Sequence, residues 1–179
     1  YYGVDTMLTK NWATNKATGS SITISLSRDY SYEGEYVMKF EYAETSDGWA
    51  GATISKEVSW EDCDALQFWT VPDGKQQKTV IQITAGGNVY EYYMNLNEDY
   101  CNAGTEPVLV TIPFALFVAR DIAGNPAGGL ENDKSNITSI GLWVNAIAGS
   151  AAIDADNMVK GTVYYDGITA VKSGKTAAE

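Results

Sequence analysis

Apolar residues alternate with polar ones along most of the chain, with a period of two rather than 3.6. Ile22, Ile24 and Leu26 alternate with Thr23 and Ser25; Tyr36, Met38, Phe40 and Tyr42 alternate with Val37, Lys39 and Glu41. Further runs of this kind occupy 49–55, 65–71, 78–85, 89–96, 108–112, 137–146 and 162–171. Asp47-Gly48, Asp73-Gly74, Gly86-Gly87 and Gly128-Gly129 punctuate them, and Gly86-Gly87 between two alternating runs predicts a hairpin. Short strands without a convincing helix predict an all-β domain, a sandwich or a barrel. Residues 113–118 suit a helical turn. Residues 119–135 read as a long Gly- and Asn-rich loop, either holding a ligand or metal or only crossing the surface. No internal repeat or boundary divides the chain, so residues 1–171 are expected to form one domain, with 172–179 as a linker or tail.

A length of 179 residues suffices for one full core and not for two ordinary ones. The net charge of −11 repels phosphate backbones and anionic lipid, which argues against nucleic acid and membrane as partners. No apolar run approaches the ~18 residues that span a bilayer. The absence of histidine excludes Ser-His-Asp and Cys-His nucleophiles and zinc sites that need imidazole. Cys63 and Cys101 form no CxxC pair; a disulfide between them stays open if the protein is secreted. The start at Tyr1-Tyr2-Gly3 and the acidic, Lys-poor composition are read as a module of a larger, secreted bacterial protein. With 12 Tyr and 5 Trp against 4 Phe, flat amphipathic rings outweigh obvious reaction chemistry.

Strand alternation assigns these rings to faces. In 65–71, Leu66 and Phe68 belong inside, so Gln67 and Trp69 point out; in 79–85, Ile81 and Ile83 are inside and Gln82 is out. In 140–145, Ile140, Leu142 and Val144 are core, leaving Trp143 and Asn145 outside; in 88–96, Tyr90, Tyr92 and Met94 suit the core and Glu91 and Tyr93 point out. Trp49 shares its face with Gly51, opposite Ala50, Ala52 and Ile54. An inverted alternation would instead bury Trp69 and Trp143. Trp60 is expected to cover a sandwich edge, and Trp12 to sit at a binding rim or serve only as a cover. Rings interleaved with carboxamides and carboxylates suit a linear glycan. A pyranose stacks its C–H face on indole or phenol, while its hydroxyls need groups that donate and accept.

The runs Gly48-Trp49-Ala50-Gly51-Ala52-Thr53, Ala65 to Gly74, Val80-Ile81-Gln82-Ile83-Thr84, Thr111-Ile112-Pro113-Phe114-Ala115-Leu116-Phe117, Ile140 to Asn145 and Tyr164-Tyr165-Asp166-Gly167-Ile168 resemble jelly-roll carbohydrate-binding modules of bacterial plant-cell-wall enzymes. The resemblance spans about residues 5–171. It is nearest to modules attached to β-mannanases, of the family 23 and 27 kind, and extends to the family 11, 17 and 28 glucan binders. It implies a two-sheet antiparallel β-sandwich (jelly roll) that binds single chains of β-1,4-mannan or glucomannan, without catalysis, as a monomeric module serving an appended catalytic domain. The platform falls to Trp69 and Trp143, with Trp49 and Trp12. Gln67, Gln82, Glu91, Tyr93 and Asn145 become the polar partners. The resemblance also implies a structural calcium between the chain ends, held by Asp166, the turn containing Glu33, and Asp5.

Three alternatives stay open. One is a β-glucan ligand in place of mannan. A second is a small jelly-roll glycoside hydrolase, which needs two carboxylates ~5 to 9.5 Å apart. Val89-Tyr90-Glu91-Tyr92-Tyr93 is similar to the nucleophile strand of jelly-roll xylanases, but their second acid motif has no counterpart here. The third is a structural spacer or adhesion domain.

Overall fold

The structure, a computed structural model, describes residues 5–94, 104–120 and 128–174, without the side chains of Asp5 and Thr6. A short helix α1 (Asp5–Asn11) leads into β1 (Trp12–Lys16), β2 (Ser21–Ser27), β3 (Val37–Thr45), β4 (Trp49–Val58), β5 (Ala65–Val71), β6 (Lys78–Ala85) and β7 (Asn88–Tyr93). Then follow β8 (Val108–Pro113), a 3-10 turn (Phe114–Leu116), β9 (Val118–Ala119), helix α2 (Gly129–Asp133), β10 (Ile137–Asn145) and β11 (Met158–Val171). The strands form a six-stranded sheet in the order β1-β4-β10-β6-β7-β9 and a five-stranded sheet in the order β2-β3-β11-β5-β8. Neighbours pair antiparallel throughout. This is the expected two-sheet antiparallel β-sandwich.

The core lies between the sheets and is filled by the inward half of each alternation. Phe40, Leu66, Phe68, Val110, Ile112 and Tyr165 come from the five-stranded sheet. Ala50, Ala52, Ile81, Ile83, Tyr90, Leu142 and Val144 come from the other. Burying each large apolar side chain contributes about 1.5–3 kcal/mol, so the faces are set by this layer and not by local propensity. The Gly86-Gly87 hairpin forms as read: Ala85 pairs with Asn88, and both glycines take positive φ, as a two-residue turn of this hand requires. Trp60 covers an edge, stacked on Phe114 at 5.7 Å.

Several features depart from the sequence reading. Trp12 belongs to β1 and points inward opposite Ile54, 7% exposed, so it packs in the core and not at a binding rim. The segment read as a long loop begins at the end of β9 and contains α2, whose Leu130 is buried. The tail begins ordered: Ser173 and Gly174 donate backbone hydrogen bonds to the Asp64 carboxylate at 2.7 and 2.9 Å. Among the described helices none is long and apolar enough to cross a membrane.

One inward residue is an acid. Glu44 on β3 is fully buried, and neither carboxylate oxygen has a hydrogen-bond partner. The nearby Ala146 N–H is already donated to the Gly48 carbonyl. Burial pushes the Glu44 carboxyl up from an ordinary 4.5 to about 8; the Ala50 and Ala146 amides oppose the rise and Asp73 adds to it. A raised folded-state pKa makes the ionised form the costly one. Stability is therefore full below the ordinary carboxyl range and is lost as pH climbs towards 8. Melting temperature should fall across that window, and Glu44→Gln should flatten the fall, recovering on the order of a few kcal/mol at alkaline pH. Paired thermal melts at acid and alkaline pH check this; equal effects of Glu44→Gln at both would refute it.

Candidate functional site

The outer face of the six-stranded sheet is built as transverse rows by the register of β4, β10, β6 and β7. Asn145 stands between Trp49 and Lys78 in one row. Trp143 stands between Gly51 and Val80 in the next, with Tyr93 beyond Val80. Gly141 stands between Thr53 and Gln82 in the third, followed by Glu91. Because Leu142 and Val144 are buried between the sheets, their neighbours on β10 must face out.

The Trp143 indole lies down across the sheet because two positions beside it carry no side chain. A Cβ on Gly51 would fall 2.0 Å from the ring, and one on Gly141 would fall 2.6 Å from Nε1. The indole N–H is buried and has no acceptor. Trp49 stands against this ring at 5.8 Å between centroids and 62° between planes. Together they border a depression of about 300 Å³ completed by Val80, Gln82, Glu91, Arg120 and Asn145.

The polar side of the depression is already organised. Glu91 accepts hydrogen bonds from Gln82 Nε2 at 3.0 Å and from the Tyr93 hydroxyl. Burial, the Glu91 hydrogen bond and the Glu91 charge together push the Tyr93 phenol up to about 12, so Tyr93 stays a donor. Lys78 Nζ sits 4.4 Å above the Tyr93 ring centre. Arg120 arrives from the end of β9, where its N–H donates to the Val89 carbonyl. Sequence reasoning missed Arg120, since a two-residue strand leaves no periodicity to read. A larger cleft of about 610 Å³ opens between the sheets, where Leu8, Trp12, Met38, Ile54, Trp60 and Ile140 line it together with Glu33, Lys56 and Asp166. Its rings Trp12, Trp60 and Tyr165 are core residues packed between the sheets, and its Asp166 already accepts three backbone N–H groups, so it offers no open stacking platform like that of the outer face.

A sheet face that pairs indoles with a carboxylate, two amides and a guanidinium is the arrangement expected of a glycan cleft. The family model for carbohydrate binding domains (family 11) matches residues 2–169. The chain belongs to this family. The resemblance to the mannanase-attached families 23 and 27 gives way to family 11, one of those named beside them. A similar solved structure is the family 11 carbohydrate-binding module of the cellulosomal cellulase Lic26A-Cel5E of Clostridium thermocellum. It is 16% identical with a TM-score of 0.64, over 91% of this chain and 88% of that one. Another is the Clostridium thermocellum family 11 module in complex with a β-1,3-1,4-mixed-linked tetrasaccharide, 17% identical with a TM-score of 0.63, over 90% and 89% of the chains. A β-1,2-glucanase from Parabacteroides distasonis shares the fold at 14% identity and a TM-score of 0.59, with 91% of this chain matching 23% of that one. No curated protein matches in sequence.

The family 11 domain does not gather all the residues expected at one site. Trp49, Trp143, Gln82, Glu91, Tyr93 and Asn145 share the outer face of the six-stranded sheet. Trp69 and Gln67 point outward as read, but from β5, which belongs to the other sheet, so they cannot join Trp143 in one platform. Gln67 Nε2 is donated to Thr111 Oγ1 at 2.9 Å, and Trp69 is stacked under Tyr32.

Asp166 and Glu33 do come together, with the Glu33 carboxylate over Gly167. The Asp166 oxygens, however, accept the N–H groups of Tyr32 and Glu33 at 2.8 Å each and of Gly167 at 2.8 Å. Amide donors aimed at a carboxylate occupy the positions a calcium ion would take. The Asp5 side chain lies outside the described residues, and among those described no three acids or thiols cluster as a metal site. As arranged, the group does not fit calcium. Cys63 is half-buried and unpaired among the described residues, and Cys101 lies outside them.

Two outcomes follow for the family 11 domain. Gly51→Ala should force the Trp143 ring off the sheet and weaken ligand binding as much as removing the ring, with far-ultraviolet circular dichroism unchanged; undiminished binding would show that the ring need not lie flat. Chelator and added calcium should leave the melting temperature unmoved, whereas Asp166→Ala, which strips three N–H groups of their acceptor, should lower it.

Proposed function

We propose that the depression on the six-stranded sheet binds a β-glucan chain without cleaving it, and that a chain bent by β-1,3 linkages among β-1,4 ones fits it best. The observation that carries this reading is the 62° angle between the Trp49 and Trp143 rings at 5.8 Å. Successive sugars of a β-1,4 chain lie nearly in one ribbon. Two platforms so close and so steeply inclined cannot both lie flat on a ribbon, whereas a β-1,3 linkage turns the chain and offers the second ring its own sugar face. The mixed-linked tetrasaccharide bound to the Clostridium thermocellum module supports the same ligand class. Glu91 with Gln82, Asn145 and Arg120 then meet the hydroxyl rim.

Binding is preferred over hydrolysis because Glu91 is the one carboxylate among the described residues lining the depression, and two-carboxylate chemistry needs a second. Gln82 and Tyr93 also hold Glu91 as a hydrogen-bond acceptor. The wider role, directing an attached secreted hydrolase to its polysaccharide, is supported by the relative that forms part of a cellulase.

Isothermal titration with a mixed-linked β-1,3-1,4-glucan tetrasaccharide, cellotetraose and mannotetraose tests the ligand. The expected order is mixed-linked first and mannotetraose last. Trp143→Ala should weaken binding ~5- to 150-fold, the range for loss of an aromatic stack of 1–3 kcal/mol. A preference for mannotetraose would overturn the glucan reading, and release of reducing ends lost in Glu91→Gln would overturn the non-catalytic one.

A further inference from the structure

The outer face of the five-stranded sheet carries a second aromatic cluster that the depression does not use. Loop 28–36, between β2 and β3, folds back over this face. Tyr32 lies on Trp69 at 4.3 Å with 13° between planes, and Tyr30 meets Tyr164 edge-on at 5.1 Å. Tyr30 and Tyr32 nevertheless keep 47% and 40% of their surface exposed, and Leu109, opposite Trp69 in register, keeps 43%.

Two features hold the loop in this form. Asp166 Oδ2 takes the consecutive N–H groups of Tyr32 and Glu33, which pins the loop to the last strand. Tyr30 adopts φ 57°, a left-handed conformation that bulky side chains rarely take and that persists only where surrounding contacts over-determine it. If the loop served only to cover Trp69, its rings would turn in and lose surface to water. Instead, a strained backbone and a charged anchor present two phenol rings outward.

We propose that this surface is a second saccharide-binding site, in which a neutral sugar chain lies across the exposed face of Tyr32 and along Tyr30 and Leu109. The rim is polar, and the acids of the loop, Asp29, Glu33 and Glu35, accept hydroxyl hydrogen bonds and repel an anionic ligand. Lys39 and Glu41 neutralise each other at 2.8 Å on β3, and on the other side of β11 Gln67 and Thr111 pair, leaving carboxamide and hydroxyl oxygens as acceptors. A protein partner is the poorer fit, because a stable interface buries about 800 Å² per partner around an apolar centre, and three large exposed side chains supply much less. The site stands apart from the depression, on the opposite face of the sandwich. One domain could then engage two chains, or two segments of one polymer, and gain avidity.

The test uses the whole chain, the mixed-linked tetrasaccharide and cellotetraose as probes, and titration of Trp143→Ala alone and combined with Tyr32→Ala or Tyr30→Ala. Trp143→Ala should retain a weaker binding site that falls at least tenfold further on adding Tyr32→Ala and is kept in Trp143→Ala with Tyr32→Phe. Near-ultraviolet circular dichroism of each variant, matching the parent outside the lost ring, secures the fold. Wild-type binding abolished by Trp143→Ala alone would overturn this inference and leave the function proposed above standing. Binding indifferent to Trp143→Ala but lost in Tyr32→Ala would do the reverse. A change in oligomeric state on Tyr32→Ala, with sugar binding intact, would reassign the face to protein contact and also overturn the inference.

Discussion

Strand β10 is held on both sides by antiparallel ladders, and its register with β4 and β6 decides which of its side chains face water. Ile140, Leu142 and Val144 are buried against the other sheet, so Trp143 and Asn145 have only the outer face available. A slip of one residue would put an indole where Leu142 now packs and expose the core triplet, a change the sandwich cannot absorb. The same register sets Gly51 across from Trp143, and only a residue without a side chain lets the ring lie down there. The ring plane, and with it the angle to Trp49, follows from core packing on the reverse side of the strand.

The faces of the long strands were legible because burial on one side enforces strict alternation. Every inward assignment made for β5, β6, β7 and β10 corresponds to a buried side chain. Alternation says which way a side chain points relative to its own strand, not which sheet the strand joins. Trp69 and Trp143 both point outward, yet β5 lies beside β11 and β8, while β10 lies between β4 and β6. Sheet membership is set by long-range pairing, which a one-dimensional pattern does not contain. Trp12 stayed open between rim and cover for a related reason: β1 is an edge strand with one buried residue followed by four exposed ones, so its pattern resembles a polar loop. Arg120 was missed because β9 is too short to alternate.

Within the depression, the polar groups are arranged before any ligand arrives. Glu91 is nearly buried, and a buried carboxylate without partners would be costly to keep charged; Gln82 and Tyr93 supply the donors. Those bonds also fix rotamers that would otherwise be frozen on binding, at ~0.5–1.5 kcal/mol for each flexible side chain. Glu44 shows the opposite arrangement. It is equally enclosed but no donor reaches it at hydrogen-bond geometry, and the nearby Ala50 and Ala146 amides only partly offset its burial, so its site answers by holding the proton. Two buried glutamates of one domain thus differ in their surroundings, and only the one with partners faces the binding surface.

Asp166 shows how one residue type at one position can fasten a chain in two ways. A calcium ion fastens by drawing oxygen ligands from separated segments; a carboxylate does so by drawing N–H groups. Here Tyr32 and Glu33 of the loop and Gly167 of β11 converge on the two oxygens of Asp166. A motif that places an acid on the closing strand is consistent with either device, because both need an anionic oxygen there. The backbone decides between them: donors turned towards the carboxylate leave little room for a cation, and carbonyls turned towards it would invite one. In this chain the donors are turned in, and the segment they fasten is the one that carries Tyr30 and Tyr32. The acid on the last strand therefore shapes the outer face of the five-stranded sheet through the three hydrogen bonds it accepts.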